Sequence, residues 1–269
     1  MIERLRILAL FAHPDDELSV GGALAHYAAA GADITLICAT RGEAATIYCA
    51  DCATPETLAA VRTAELACCC RILGIDRLEW LDWPDGGVQQ IPLDVAVAQL
   101  APRIRQLRPH IIVTHPEHGN YPHPDHIGVH ERALAAFHAA ADAAYAAAGP
   151  VWQTPKFYVR AIPESAFDLI PGFREYRVNL GGQALPFVPD PDEQIDCSID
   201  CAVTVAKRVE GWKCHRSQHN PQGTFSVMPE ELQKKLFSVE HFRLFAHHLP
   251  APLARHTAWE AGLSLGRHD

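Results

Sequence analysis

The sequence predicts an α/β fold: a single domain with a Rossmann-like, mostly parallel sheet and helices on both faces. Short β-branched runs alternate with longer runs of helical periodicity, the pattern of successive βαβ units. Acidic and histidine-rich clusters follow the strand-like runs, where open parallel sheets gather their ligands. No Gly/Ser-rich or Pro-rich linker divides the 269 residues, and a chain 48% hydrophobic and 20% charged can bury one substantial core.

Strands are expected at Arg6–Phe11, Asp33–Ala39, Arg77–Leu81, His110–Thr114 and Lys156–Arg160. The first, RILALF, is a continuous apolar run suited to a strand covered on both faces. Helices are expected at Gly21–Ala30, Pro55–Leu73, Leu93–Leu107 and Ile127–Ala148, the second ending before Gly74, a C-cap residue. Within the domain, 1–269, a stretch around 150–195 carries no recognisable motif and is expected to shape the substrate site.

Composition excludes several function classes. A formal net charge of −9 and a pI near 5.9 disfavour nucleic acid and anionic membrane surfaces, which would repel the protein. A small neutral or polar substrate fits better. The opening apolar segment meets acids too soon for a signal peptide or a membrane span, so a cytoplasmic location is expected. The nine cysteines are then expected to be mostly reduced thiols. Among them, Cys49 and Cys52 form CADC, half of a structural zinc site or a redox pair, while Cys68–Cys70 lie in an Ala-rich helix as small apolar residues. Oligomeric state stays open, a homo-oligomer included.

The first strand ends in FAHPDDELSVGG, with His13, Asp15, Asp16 and Glu17 crowded together. Three negative charges in so short a span call for a cation, a helix N-terminus, or both. The loop after the fourth strand reads THPEHGNYPHPDHIGVH, and seven of the sixteen histidines fall between His110 and His138. His123 and His126, three apart, share one face of a helical turn. A histidine from this loop meeting His13 and Asp16 would complete two imidazoles and a carboxylate, the open three-ligand pattern of catalytic zinc. Such a centre polarises a carbonyl and acidifies water, which is chemistry for amide or ester hydrolysis.

Plainer readings stand beside this one. The acids would cap the following helix. Arg62 with Glu65 forms an intrahelical ion pair, and His115, His118, His130 and His138 are packing or surface residues. Glu43 is a substrate contact or a capping acid. Helical spacing alone accounts for Lys207, His215 and Gln218.

AHPDDE at Ala12–Glu17 followed by HPDH at His123–His126 resembles the PIG-L/LmbE-like family of zinc-dependent N-deacetylases. Further likeness lies in TRGE (Thr40–Glu43), VRTAEL (Val61–Leu66), WPDGG (Trp83–Gly87) and AKRVEGWKCHRSQ (Ala206–Gln218). The resemblance implies Zn2+ held by His13, Asp16 and His126, with Asp15 as general base. It implies His123 as the oxyanion donor, oriented by Asp125 with Tyr121 close by, and Arg62 and Asp85 as contacts to sugar hydroxyls. The implied reaction removes the N-acetyl group from a small N-acetylglucosamine-containing substrate. The alternatives are an amidase acting on a thiol-sugar conjugate or antibiotic precursor, and a non-catalytic metal-dependent sugar-binding protein. No G-x-G-x-x-G follows the first strand, which argues against a dinucleotide.

Overall fold

The computed structural model describes residues 4–169, 172–180, 182–221, 223, 228–251 and 253–263. Five strands, β1 (Arg6–Phe11), β2 (Asp33–Cys38), β3 (Arg77–Trp80), β4 (Ile111–Thr114) and β5 (Lys156–Ala161), pair in parallel in the order β3-β2-β1-β4-β5. Ile7 of β1 stands opposite Ile34 on one side and Ile111 on the other. Side chains along β1 alternate between two cores: Ile7, Ala9 and Phe11 enter one, Leu8, Leu10 and Ala12 the other. Both faces of the strand are therefore dry, which is why RILALF is apolar throughout.

Helices α1 (Gly21–Ala29) and α2 (Leu58–Leu73) pack on one face, and α3 (Leu93–Leu107) and α4 (Pro124–Ala141) on the other. Right-handed crossovers require this division once the chain reverses direction at β1. The reversal opens a crevice between the C-terminal ends of β1 and β4, the ligand-binding switch point of such sheets.

The expected elements are present; α2 starts at Leu58, three residues after the expected Pro55, and α4 shifts at both ends. It starts at Pro124, because His123 caps it by accepting the Asp125 N–H through Nδ1 at 3.1 Å and proline suits the first helical position. It stops at Ala141, seven residues before the expected end at Ala148, although the alanine run continues. The buried Arg105 of α3 explains this, since its guanidinium collects the carbonyls of Ala139, Ala140, Asp142, Tyr145 and Ala147. Those bonds favour a turned chain over further helix.

Beyond β5 the chain forms a hairpin, β6 (Arg177–Leu180) with β7 (Gln183–Pro186), inside the stretch that carried no motif, of which 170, 171 and 181 lie outside the described residues. Then β8 (Cys197–Asp200), α5 (Val205–Trp212), α6 (Glu230–Leu236) and β9 (Val239–His247) complete the fold, β9 pairing antiparallel with both β5 and β8. Phe167, Phe173 and Met228 form a third, smaller core between these late segments. No helix among the described residues is long and apolar enough to cross a membrane.

The expectation of reduced thiols holds for Cys38, Cys69, Cys70, Cys197 and Cys201, all buried, and fails for the other four. Cys49 pairs with Cys52, and Cys68 with Cys214, 146 residues away. Cys68 is thus a cross-link between α2 and the segment after α5.

The late strands are anchored through Glu240. Its buried carboxylate accepts the N–H groups of Gly22 (2.8 Å) and Ala23 (2.9 Å) at the start of α1. Only glycine fits at 22, because a Cβ there would stand 2.8 Å from both Glu240 Oε1 and Cys201 Cβ. Replacing Glu240 by alanine strands two helix N–H groups and is expected to cost about 2–4 kcal/mol. Urea unfolding should show a lower midpoint at unchanged slope.

Candidate active site

Four loops meet at the crevice: 12–17 after β1, 40–44 after β2, 81–88 after β3 and 115–123 after β4. In the first, Asp15 adopts φ 108°, a conformation rare outside glycine. That twist sends the adjacent carboxylates apart.

Asp16 turns inward. Its Oδ2 accepts the His13 backbone N–H at 2.8 Å and stands 3.2 Å from His13 Nδ1, while Oδ1 stands 3.3 Å from His126 Nε2. Burial would raise its pKa, but His126 and His115 hold it well below the usual carboxylate range. His126 donates Nδ1–H to the Gly119 carbonyl at 2.9 Å. Its buried Nε2 makes no hydrogen bond and is aimed at Asp16. His13 is held from behind: Nε2–H is shared by Asp85 (3.1 Å) and Asp125 (3.2 Å), and Nδ1 faces Asp16. Burial opposes charge on His13, yet these carboxylates raise its pKa well above the ordinary value.

The donors of His13, Asp16 and His126 all lie within 4.8 Å of one another. Ligands about 2.1 Å from a tetrahedral ion stand roughly 3.4 Å apart, so this set fits a divalent cation such as zinc. The orphaned Nε2 of His126 and the carboxylate-backed ring of His13 both suit that use. Two other clusters fit less well. His13, His123 and Asp125 overlap the first, but both Asp125 oxygens already accept N–H groups, from Gly86 and Val88. In Glu17, Cys69 and His215, burial keeps the Cys69 thiol protonated.

Asp15 turns the other way. Its Oδ2 is 3.1 Å from the Arg62 guanidinium, and desolvation pushes its pKa to about 6 against the pull of Arg62. That value suits a group that takes and returns a proton near neutrality. Because His123 Nδ1 accepts the Asp125 N–H, its Nε2 carries the proton. Burial and the nearby His126 and His13 lower the His123 pKa to about 4, so the ring is a neutral donor at pH 7. Tyr121 lies beside it, ring centroids 5.9 Å apart, and burial keeps its phenol protonated.

Three expected roles differ from what is found. Asp125 orients His13 through its carboxylate and touches His123 only through its backbone. Arg62 is buried, with donors on the carbonyls of Pro14 and Gly42 and on Asp15, so it clamps the 12–17 loop. Asp85 is engaged with His13 and the Ala44 N–H, and although desolvation raises its pKa, the bond and charge of His13, the Ala44 N–H and Arg62 together lower it to about 2. Glu43, exposed on the rim, accepts the Asp85 N–H at 2.9 Å.

The plainer readings missed the part played by His215, while the packing role read for His115 falls at the site itself. His115 stacks on His126 with centroids 3.9 Å apart and accepts the Ala12 N–H, so it packs the floor of the site. His215, fully buried, donates to Glu17 at 2.8 Å, and Glu17 accepts the Asp15 N–H at 2.9 Å. Its place in the motif AKRVEGWKCHRSQ was the available signal.

The PIG-L family, described as GlcNAc-PI de-N-acetylase, matches residues 8–137. A Rhodococcus erythropolis relative named 1D-myo-inositol 2-acetamido-2-deoxy-alpha-D-glucopyranoside deacetylase is 33% identical over 90% of this chain and 91% of its own. Among solved structures, the conserved protein TT1542 from Thermus thermophilus superposes with a TM-score of 0.65 at 25% identity, over 93% of this chain and 99% of its own. The 4-carboxy-2-hydroxymuconate hydratase GalB from Pseudomonas putida KT2440 has the same TM-score, 0.65, at 18% identity, over 93% of this chain and 100% of its own, and shares the fold.

The backing of His13 can be tested directly. Asp125→Asn is expected to weaken Zn2+ binding by about 10–100-fold, read by competition against a chromophoric chelator, with thermal unfolding as the control for folding. His126→Ala should abolish stoichiometric binding, and full occupancy in that variant would remove His126 from the ligand set.

Proposed function

The chain belongs to the PIG-L family of N-deacetylases, and from that premise we propose that it hydrolyses the acetamide of an N-acetylglucosamine-containing small molecule, releasing acetate and the free amine. The cation is zinc, with His13, Asp16 and His126 as its ligands. The observation that carries this reading is the divergence of two adjacent carboxylates. Asp16 lies between two imidazole nitrogens at 3.2 and 3.3 Å, while Asp15 is held apart by Arg62 at a pKa of about 6.

A divalent cation bound there supplies Lewis-acid polarisation of the amide carbonyl and acidifies an attacking water. The residues of the chain do the rest. Asp15 takes the proton as the water oxygen bonds to the acyl carbon. His123 donates Nε2–H to the carbonyl oxygen as negative charge gathers there, a contact typically worth a few kcal/mol of barrier. Asp15 then returns its proton to the nitrogen as the C–N bond breaks. Tyr121 narrows the approach beside His123, and Glu43 offers an exposed acceptor for a sugar hydroxyl. The small-molecule substrate engages one continuous domain, in which the 150–195 stretch forms one wall of the site.

Acetate release from a panel of N-acetylglucosaminides by zinc-loaded protein tests the reaction. Asp15→Asn should retain zinc and lose roughly 10²–10⁴-fold in kcat. A loss within about tenfold, ~1.4 kcal/mol, would place the base elsewhere.

Arg62→Ala should reduce kcat/KM by the same factor on a glycoside and on a minimal acetamide lacking the sugar, because Arg62 holds the loop carrying Asp15. A loss confined to the glycoside would reinstate a sugar contact.

A further inference from the structure

A cavity of about 420 Å3 opens directly from the metal cradle, a size typical of small-molecule sites. Its inner wall includes Asp15, Asp16, His126 and Tyr121. Leu169, Phe173 and Phe187 from the stretch after β5 form one outer wall, and Trp212, Phe237 and Val239 from the late helices and β9 form the other. We propose that this cavity receives an apolar aglycone, so that the substrate is an N-acetylglucosaminide bearing an aliphatic or aromatic group at its anomeric carbon. The inference rests on the deacetylation reading above.

Three of the polar side chains in the wall are engaged with the chain itself. Arg160 donates to the carbonyls of Ser19 and His241, Arg208 donates to that of Leu18, and Asn120 donates to that of Arg160. The Arg208 guanidinium also lies over the Phe237 ring at 3.3 Å. A polyol aglycone would therefore lose its hydration and find few partners, at a cost for each buried hydroxyl. An alkyl or aryl group gains from the same surface. At the lip, Leu169 is 62% exposed and Val239 37% exposed, so large apolar side chains stand in water there, as they do at binding sites. Continuity with the cradle names the occupant. Once the group removed is acetyl, the aglycone is the part of the substrate large enough to fill the space.

The test compares methyl, octyl and myo-inositol glycosides of N-acetylglucosamine by acetate release, and the methyl and octyl glycosides of glucosamine by calorimetric binding. The octyl compound should exceed the methyl one at least about tenfold in kcat/KM and in affinity, and should exceed the inositol glycoside. Leu169→Asp, at an exposed position, should bring the octyl-to-methyl ratio of kcat/KM down toward one. Equal turnover of methyl and octyl compounds, or preference for the inositol glycoside, overturns the assignment while deacetylation stands. Preference for an N-octanoyl over an N-acetyl methyl glycoside also overturns it, by placing the acyl chain in the cavity. Tight octyl binding by a protein that hydrolyses none of these amides would keep the cavity assignment and overturn deacetylation instead.

Discussion

Two neighbouring carboxylates in a desolvated loop repel each other, and each remains ionised only where the surrounding structure supplies opposing charge. At the end of β1 that supply is unequal. Asp16 faces His13 and His126 and is held far below the ordinary carboxylate range, whereas Asp15 has the Arg62 guanidinium and is left at about 6. The inequality depends on backbone geometry, since φ 108° at Asp15 swings its side chain away from the one that follows. One carboxylate is thereby fixed as an anion and its neighbour can exchange a proton.

Helix α2 and the segment after α5 hold that loop in its strained form. Arg62 of α2 binds the Pro14 carbonyl from below, and Glu17 accepts the Asp15 N–H while His215 holds Glu17. His215 is itself fixed on either side. Cys214 is bonded to Cys68 of α2, and Ser217 gives its N–H and hydroxyl to Glu65, both at 2.7 Å. Arg62, Glu65 and Cys68 are three apart, so one stripe of α2 clamps the active loop, the segment after α5 and the link between them. A solvated Arg62–Glu65 ion pair is thus not formed, since both side chains turn inward to separate partners.

The sequence disclosed those features whose signals are local. Strands β1, β2 and β4 are almost wholly apolar because both faces of the sheet are covered there, and the bounds of β1 to β5 fall within a residue of expectation. The candidate ligands His13, Asp16 and His126 stand in two short motifs placed after strands. What stayed hidden depends on tertiary contacts. The alanine run after α4 has helical propensity to spare, yet Arg105 of another helix ends it. The partner of the Asp125 carboxylate lies 112 residues away, and that of Cys68 lies 146 away. Strand β8 pairs with β9 and β9 with the distant β5, and β9 is half-exposed along much of its length, which weakens its apolar pattern.

A hydratase shares this fold, so the sheet and its switch point do not by themselves select hydrolysis. The selection lies in which groups the loops present. A neutral His123 with its proton on Nε2 can serve a developing oxyanion, and an Asp15 near pKa 6 can move a proton both ways. Those groups come from loops after β1 and β4, tied to the most buried strands and positioned by backbone N–H groups of their neighbours. The walls beyond them come from the hairpin region, α5, α6 and β9, which pack on the site through the small core of Phe167, Phe173 and Met228. In the proposed reading, chemistry and substrate shape are drawn largely from separate parts of one chain. Changes at Leu169, Phe173 or Phe187 can alter what fills the cavity, whereas α5 and the segment after it also hold the active loop through Arg208 and His215.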